Sequence, residues 1–288
     1  MTSFCFATGA EVLVDYRARV RRHGASERTP DVDGVMATIV APEKLTWSRS
    51  LCWAANRTKP DGTQETLLCT TPKQVRAYYD DLLSREELSG ARPGVTDIRG
   101  NWYTFSEVVG TPMRTIQTGE IHQVDSAVIS LFDGGEGVSA EICWFRCADA
   151  PSDAGIRAQA WAAYIGALRQ QDVPALLSLM SDNMQGAVRE YVDADPPFVA
   201  VDGREAMGAH YEKLFAHLEI QDIEIVRLAI RGWYVFCELR WTVRLLTGPE
   251  AGKDARFLTV EHMAYDEGGL FQSRFGYGTE MADFLRLR

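Results

Sequence analysis

The sequence carries little positive charge. Its 288 residues include 30 Lys and Arg against 40 Asp and Glu, for a formal net charge of −10. Binding to a nucleic acid depends on a basic surface that neutralises phosphates. We therefore expect no nucleic-acid partner.

Long apolar runs are also missing. No stretch approaches the roughly 18 apolar residues needed to span a bilayer, and the first residues do not combine a basic start with an apolar segment. The six cysteines have no paired spacing, so buried thiols in a reducing compartment are expected rather than disulfides. These absences predict a cytoplasmic protein without a membrane segment.

Several catalytic motifs are absent as well. The chain has no Gly-x-Ser-x-Gly sequence, so no nucleophilic serine is expected. Its five histidines do not form the two-histidine helical motif of zinc enzymes. Cys143 and Cys147 lack the two-residue gap of a metal or redox pair. We expect neither a metal nor another cofactor.

The most informative feature that is present is an internal repeat. Three patterns recur in the same order, 131 to 133 residues apart: Trp102–Val108 as Trp233–Leu239, Val75–Leu83 as Met207–Phe215, and Phe132–Gly135 as Tyr265–Gly269. A near-constant offset predicts two copies of one domain. We place the first domain at 1–147, a Pro- and Gly-containing linker at 148–156 and the second domain at 157–288.

Each copy has the pattern of an α+β domain. In the second copy, apolar residues at helical spacing precede segments rich in β-branched and aromatic residues, which begin near residue 220. Capping boxes at Thr71–Gln74 and Asp202–Glu205 mark a helix start in each copy. We expect two or three N-terminal helices followed by an antiparallel sheet. Alternation along 235–243 predicts that Val235, Cys237, Leu239, Trp241 and Val243 form a core face.

Five segments of the second copy follow the pattern of a known family: Ala163–Ile165, Asp172–Met180, Asp195–Pro197, Gly203–Met207 and Val260–Gly269. On these segments the second copy resembles the nuclear-transport-factor-two-like superfamily, near the ketosteroid isomerases and SnoaL-like polyketide cyclases. The resemblance covers nearly all of 157–280 and, through the repeat, more weakly 10–147. It implies two tandem cones, each a curved sheet wrapped around helices with an apolar pocket, arranged as an internal pseudo-dimer.

The resemblance also implies catalytic roles. In ketosteroid isomerases a helix tyrosine and a protonated acid donate to the developing enolate oxygen, and the aspartate of an Asp-Pro step is the base. These roles fall on Tyr164, Glu261 and Asp195, with Asp193 competing with Asp195 for the base. An apolar site keeps such a donor protonated by raising the pKa of its carboxyl group.

The chain departs from the family pattern in places. Aligning the base requires an insertion over Ala187–Asp193, and the second acid is Glu, one methylene longer than Asp. In the first copy Tyr16 takes the place of Tyr164, whereas Val128 takes that of Glu261. The first domain is therefore expected to be scaffold, with the active site in the second.

The predicted function is a cofactor-independent acid–base enzyme, an isomerase, cyclase or dehydratase of a ketone-bearing polyketide, terpenoid or steroid-like substrate. A second interpretation is a polyether-type epoxide hydrolase/cyclase, with Asp195 acting beside Asp222 or Glu224. A third is a protein that only binds a hydrophobic ligand or a partner peptide. The residues expected to bind the substrate are Trp161, Phe198, Trp241, Phe257, His262 and Phe275.

Two glutamates, Glu107 and Glu238, occupy the same place in both copies. They could be catalytic acids or part of a structural salt bridge at the seam between the halves. Their presence in both copies favours the salt bridge, because only one copy carries the other family residues.

Overall fold

The computed structural model describes residues 10–39, 41, 52–58, 64–88, 93–99, 103–132, 137–147, 154–189, 199–266 and 268–278. The chain divides into two compact units, Met1–Ala150 and Pro151–Arg288. This boundary falls within the stretch expected to be the linker. The last residues of that stretch are helical, because the first helix of the second unit already begins at Ala154.

The described part of the first unit contains three helices and seven strands. In chain order they are α1 (Ala10–Arg28), α2 (Val32–Met36), β1 (Cys52–Thr58), β2 (Gln64–Cys69), α3 (Pro72–Arg85), β3 (Glu86–Leu88), β4 (Pro93–Arg99), β5 (Tyr103–Thr115), β6 (Ile121–Phe132) and β7 (Val138–Cys147). The turn expected at Asp133–Gly135 and the tryptophan Trp102 lie outside the described residues.

The described part of the second unit contains three helices and six strands. They are α4 (Ala154–Gln170), α5 (Val173–Ser178), β8 (Met180–Arg189), β9 (Val199–Asp202), α6 (Arg204–His217), β10 (Leu218–Ile230), β11 (Tyr234–Leu245), β12 (Asp254–Tyr265) and β13 (Phe271–Gly278). No helix in the described ranges is both long and apolar enough to cross a membrane.

The two units share one strand order. The first sheet runs β2-β1-β7-β6-β5-β3, with β4 also pairing with β5, and the second runs β9-β8-β13-β12-β11-β10. The long strand β10 therefore takes the place of β3 and β4 together. This correspondence confirms the tandem α+β architecture.

Two details differ from the expected layout. Each sheet contains one parallel pair, β1 with β7 and β8 with β13, among antiparallel neighbours. Two strands also precede the third helix of each unit, so the helices are not all N-terminal. The first strand of each unit lies between two helices of the chain and pairs in parallel with the last strand of its unit.

The supposed insertion at Ala187–Asp193 begins as regular strand. Ala187 and Val188 lie in β8 and pair with Phe275 and Gly276 of β13. These two residues are therefore regular strand, and the remainder, 190–193, lies outside the described part of the chain.

The two capping predictions have different outcomes. The capping box of α3 is confirmed: Thr71 accepts from the amide of Gln74, whose side chain reaches back. The box at Asp202 is wrong, because Gly203 is the N-cap of α6 and no side chain caps it. Gly203 has φ of +90°, and its amide donates to the Met184 carbonyl at 2.7 Å. Only glycine adopts this backbone without strain.

The predicted core face of β11 is confirmed. All five of its members are at most 1% exposed. They pack with α4 and α6 in the second unit's core. The other face is buried in part, since Phe236 and Glu238 are also inaccessible. Glu238 lies 3.8 Å from Arg227 of the neighbouring strand, so an ion pair exists within the unit. Glu107 is likewise buried.

Candidate functional site

The structure brings the predicted pair Tyr164 and Glu261 together. The Tyr164 hydroxyl donates to Glu261 Oε2 at 2.9 Å, and both residues are fully buried. Arg274 lies beside both: its Nε donates to the tyrosine oxygen at 2.9 Å, and its guanidinium is 3.3 Å from Glu261 Oε1. A carboxyl group that faces a guanidinium and accepts from Tyr164 is arranged as a carboxylate. It does not have the surroundings of the protonated donor that the family resemblance implies.

More groups complete this buried network. Thr259 donates to Glu261 Oε1 at 3.3 Å and accepts from the Trp241 indole at 2.9 Å. The hydroxyls of Tyr164 and Tyr211 are 3.3 Å apart. The polar groups around Glu261 thus bind one another, as buried polar groups generally do.

The predicted bases are untested. Asp193, Asp195 and Phe198 lie outside the described residues. The epoxide interpretation paired Asp195 with Asp222 or Glu224, and both of these are exposed. They are cross-strand partners of residues on the outward face of β11, so they point away from the core that contains Glu261.

The predicted substrate-binding aromatics fall into two groups. Trp161, Trp241 and Phe257 belong to the hydrophobic core of the second unit. His262 and Phe275 are buried as a cross-strand pair, on the face of β12 opposite Glu261 because successive side chains alternate. His262 therefore does not share a pocket wall with Glu261. Burial lowers its pKa to about 3, so the ring is neutral.

A cavity lies within the first unit. It has a volume of about 780 Å³, within the usual range of small-molecule sites. Its apolar wall includes Val20, Leu82, Leu88, Met113, Val124 and Phe145. The ionisable side chains that line it include His23 and Glu27 of α1 and Glu141 of β7. The described structure thus places ionisable groups beside an apolar space in the unit that the sequence predicts to be scaffold.

The helix register explains why His23 escapes notice in the sequence. Asp31 caps α2 and Asp172 caps α5, each through its side chain, and these caps are 141 residues apart. His23 and Tyr164 are also 141 residues apart, so His23 on α1 occupies the position of Tyr164 on α4. The equivalence of Tyr16 with Tyr164 is therefore wrong by about two helical turns, which is the separation of Tyr16 and His23 along α1.

Hydrogen bonds hold the His23 ring in place. Its Nδ1 is 2.6 Å from the Thr38 hydroxyl, which itself donates to the Val35 carbonyl. Because the Thr38 proton is used in this way, Nδ1 is the donor to Thr38. The other nitrogen, Nε2, lies 3.1 Å from Glu141 Oε2. With Nε2 also protonated, the ring is an imidazolium paired with Glu141.

Tyr79 connects the two carboxyl groups. Its hydroxyl is 3.1 Å from Glu27 Oε1 and 2.9 Å from Glu141 Oε1, and it accepts from the Trp53 indole at 3.1 Å. One hydroxyl proton cannot serve two carboxylates. Both hydrogen bonds can therefore form only when one of the two carboxyl groups is protonated and donates to the Tyr79 oxygen.

The electrostatics place that proton on Glu27. Burial and the neighbouring Glu141 raise the pKa of Glu27 to about 7. The pKa of Glu141 is lowered, because the attraction of His23 outweighs the burial that would raise it. The pKa of His23 rises to about 9, since Glu141 and Glu27 outweigh the burial that would lower it. Two carboxyl groups with pKa values pushed apart are typical of an acid–base site.

Comparison with known proteins addresses the second unit. A family profile described as a SnoaL-like domain matches residues 161–272. The second unit is thus similar to this family over these residues, and we refer to it below as the SnoaL-like domain. No curated protein matches the sequence.

Solved structures similar to the chain include three that are each covered almost completely. An LEH-like epoxide hydrolase of M. tuberculosis shares 17% identity over 46% of this chain and 91% of that chain, with a TM-score of 0.36. An NTF2-like protein of Burkholderia xenovorans LB400 shares 14% over 46% and 98%, with a TM-score of 0.36. The epoxide hydrolase/cyclase-like enzyme SalBIII, with a role in pyran ring formation in salinomycin, shares 18% over 44% and 93%, with a TM-score of 0.36.

The SnoaL-like domain is filled at positions where the first unit is hollow. In the first unit Thr111 and Val124 form a cross-strand pair on the cavity wall. The equivalent pair in the SnoaL-like domain is Trp241 and Phe257, whose rings stack with centroids 5.4 Å apart.

The helices show the same contrast. By the cap offset, Gly24 of α1 corresponds to Ile165 of α4, and Glu27 corresponds to Leu168. Gly24 and Glu27 line the cavity, whereas Ile165 and Leu168 are core residues. Gly24, Thr111 and Val124 are smaller than their counterparts Ile165, Trp241 and Phe257. This difference in volume leaves space in the first unit, because cores otherwise pack to nearly crystal density.

The three ionisable residues also raise the question of a metal. Donor atoms of His23, Glu27 and Glu141 all lie within 4.8 Å of one another. These donors already satisfy one another and Tyr79 by hydrogen bonds, and one imidazolium with one shared proton balances two carboxyl groups. We therefore interpret the group as a proton-transfer cluster.

Proposed function

We propose that this protein is a cofactor-independent acid–base enzyme that acts on a lipophilic small molecule in the first-unit cavity. Glu27 is the proposed proton-transfer residue. The observation that carries the proposal is its position: it lines an apolar cavity, keeps 24% of its side chain exposed, and has a pKa of about 7. A general acid or base works best with a pKa near the operating pH.

The reaction that fits this group is proton transfer next to a carbonyl group, as in an isomerase, cyclase or dehydratase. Ionised Glu27 removes a proton from the carbon beside the carbonyl and returns it elsewhere. His23, Glu141 and Tyr79 act by holding that carboxyl group and setting its pKa. The apolar wall supplies the contacts for a lipophilic substrate such as a polyketide, terpenoid or steroid-like ketone.

A pH–rate profile tests the role of Glu27. As a base it must be ionised, so kcat/KM rises with pH through about 7. His23 must keep its proton to hold Glu141, so the rate falls again through about 9. The assay is exchange of the α-protons of 2-tetralone with D2O, followed by NMR. A flat profile of the wild type between roughly pH 6 and pH 10 would contradict the proposal.

A matched pair of variants separates the first unit from the second. Glu27→Gln should lower the exchange rate by roughly 10² to 10⁴ fold, because the amide cannot accept the proton. Glu261→Gln tests the competing proposal of a second-unit site, in which Tyr164 and Glu261 are donors and Asp195 or Asp193 is the base. Loss of exchange only in the Glu261 variant, with the fold intact by circular dichroism, would transfer the proposal to the second unit.

Epoxide opening is the second candidate function. The observation that favours it is the pair Glu27 and Glu141, which share Tyr79 and have pKa values shifted in opposite directions. Protonated Glu27 would then act as the acid on the epoxide oxygen. In that case the hydrolysis of styrene oxide should fall, rather than rise, as the pH passes through about 7.

The non-catalytic alternative has its own signature. A protein that only binds a hydrophobic ligand or peptide would take up 2-tetralone without exchanging its protons, and Glu27→Gln would leave that binding unchanged. Exchange catalysed by the wild type alone would exclude it.

A further inference from the structure

The cavity has a wall of hydroxyl groups that the proposed proton transfer does not use. Five hydroxyl-bearing residues of β5 and β6 line it: Thr104, Ser106, Thr111, Ser126 and Ser130. They share one face of the sheet because side chains alternate along a strand, and the bulge between Val108 and Thr111 shifts this alternation by one residue so that Thr111 joins the same face. Four of the five are at most 8% exposed, so these polar groups lie inside the protein.

This wall begins beside the proton-transfer cluster. Glu141 of β7 is the cross-strand partner of Ser130 on β6, and Ser130 is the partner of Thr104 on β5. The three side chains therefore stand in one row across the sheet, with neighbouring strands about 4.8 Å apart. A ligand placed against Glu27 and Glu141 extends directly along these hydroxyls.

Thr111 shows that the wall has unused hydrogen-bonding capacity. Its Oγ1 is buried and has no hydrogen-bond partner among the described residues, and the residue is 6% exposed while lining the cavity. A buried hydroxyl without a partner is unfavourable. An oxygen or nitrogen atom of a bound molecule would satisfy it.

The second unit provides an internal comparison. The positions equivalent to Thr104, Ser106, Thr111 and Ser130 carry no hydroxyl there: they are Val235, Cys237, Trp241 and Met263. The fifth position is Thr259, whose hydroxyl is engaged by Trp241 and Glu261. Hydroxyl-bearing residues thus line the cavity of the first unit at positions that are mostly apolar in the second, so the fold itself does not require them.

We propose that the first-unit cavity recognises a lipophilic molecule bearing several oxygen atoms, which bind along the hydroxyl wall from Ser130 and Thr104 to Thr111. The inference rests on the proposed function for the reacting end of the ligand, at Glu27. Carbonyl, hydroxyl and ether oxygens all suit hydroxyl partners, which both donate and accept. A hydrocarbon skeleton with a single carbonyl group held at Glu27 leaves the Thr111 hydroxyl without a partner.

Two probes that differ by one oxygen test the inference. The wild-type protein should bind 6-hydroxy-2-tetralone more tightly than 2-tetralone, by roughly threefold to tenfold for one added hydrogen bond, as measured by calorimetry. Thr111→Val and Ser130→Ala remove one hydroxyl each, and at least one of them should abolish this preference. Ser139→Ala is the matched control, because this buried serine of β7 donates to the Leu131 carbonyl; it should keep the preference.

The outcomes distinguish this inference from the proposed function. Equal affinities of the wild type for the two probes, no binding of either, or a preference that both wall variants retain, would overturn the oxygen-rich substrate class. Proton exchange that depends on Glu27 would still support the proposed function in that event. Conversely, a preference lost in the wall variants without any proton exchange would support the binding wall and contradict the enzyme.

Discussion

Two glutamates show how surroundings set the chemistry of a residue. Glu261 lies 3.3 Å from the guanidinium of Arg274 and accepts from Tyr164, so its charge is compensated. Glu27 has no cation as close among the described contacts; burial and Glu141 raise its pKa to about 7. One residue type thus serves as an ion-pair partner in one copy and as a proton carrier in the other.

The stability of the protein should report the raised pKa of Glu27. From pH 4.5 to about 7 the unfolded chain ionises this residue while the folded protein keeps it protonated, so stability falls as the pH rises. The loss is complete above about 7 and amounts to about 3 kcal/mol for this pKa change. Glu27→Gln removes it. The unfolding free energy of the variant relative to wild type should therefore increase by about 3 kcal/mol between pH 4 and pH 8.

Urea unfolding at these two pH values is the measurement. A stability difference between variant and wild type that does not change with pH would show that Glu27 has an ordinary pKa. The proposal that Glu27 transfers protons near neutral pH would then lose its support.

At the scale of elements, α1 and α4 show how one helix position contributes to the space inside a unit. Gly24 and Ile165 occupy the same place relative to the caps Asp31 and Asp172. Glycine costs α1 helical stability, yet it leaves room beside His23 and Glu27. The helix thus gives up some stability where the cavity needs space.

Substitutions of Gly24 should separate stability from binding. The nearest atoms to an added Cβ are Arg28 Nη1 at 3.4 Å and Glu27 Oε2 at 4.0 Å, so alanine fits. Gly24→Ala should raise the unfolding free energy by about 0.5–1 kcal/mol. Gly24→Ile, which copies the residue of the filled domain, should weaken the binding of 2-tetralone.

Calorimetry and urea unfolding of the two variants check these outcomes. Gly34→Ala is the contrasting control, because its Cβ would collide with the Asp31 carboxylate that caps α2, and this variant should lose stability. Unchanged binding in Gly24→Ile would mean that the ligand does not approach α1.

At the scale of the whole molecule, the two units divide the work expected of a single domain. The first has a cavity with ionisable residues, and the SnoaL-like domain has a filled core with a closed network of Tyr164, Glu261 and Arg274. A duplicated fold permits this division because each copy has its own core. One copy can then spend its interior on packing.

Removing the cation of the second network tests that division. Arg274→Met leaves the buried Glu261 without its ion-pair partner, and the loss of one partner from a buried pair costs about 3–5 kcal/mol. We expect a large drop in the urea midpoint but unchanged 2-tetralone binding by the folded fraction. The double variant Arg274→Met with Glu261→Gln should recover part of the stability, because the uncompensated charge is gone. Loss of binding in the folded double variant would contradict the division.

Much of the fold could be predicted from the sequence. The repeat, the α+β class and the core face of β11 all follow from local pattern, because offset, periodicity and alternation are properties of neighbouring residues. The Thr71 cap is local in the same way. The Asp202 cap failed because a glycine next to it accepts a backbone that aspartate does not.

The pair Tyr164 and Glu261 was also within reach of the sequence, through the family pattern that places one on a helix and the other on a strand. Its charge was not, because Arg274 comes from a third element, β13. The cluster in the first unit depended even more on tertiary structure. His23 and Glu27 lie on α1, Tyr79 on α3 and Glu141 on β7, and their pKa values follow from contacts between these elements.

The sequence by itself determined two tandem α+β copies and a family resemblance for the second, since these rest on residues close together in the chain. Only the tertiary structure showed that the described part of the first copy contains a cavity. That outcome depends on the combined volume of side chains from helices and strands far apart in sequence, with Gly24, Thr111 and Val124 in one copy against Ile165, Trp241 and Phe257 in the other. Space and electrostatic environment belong to the packed molecule, because both are set by what surrounds a residue in three dimensions.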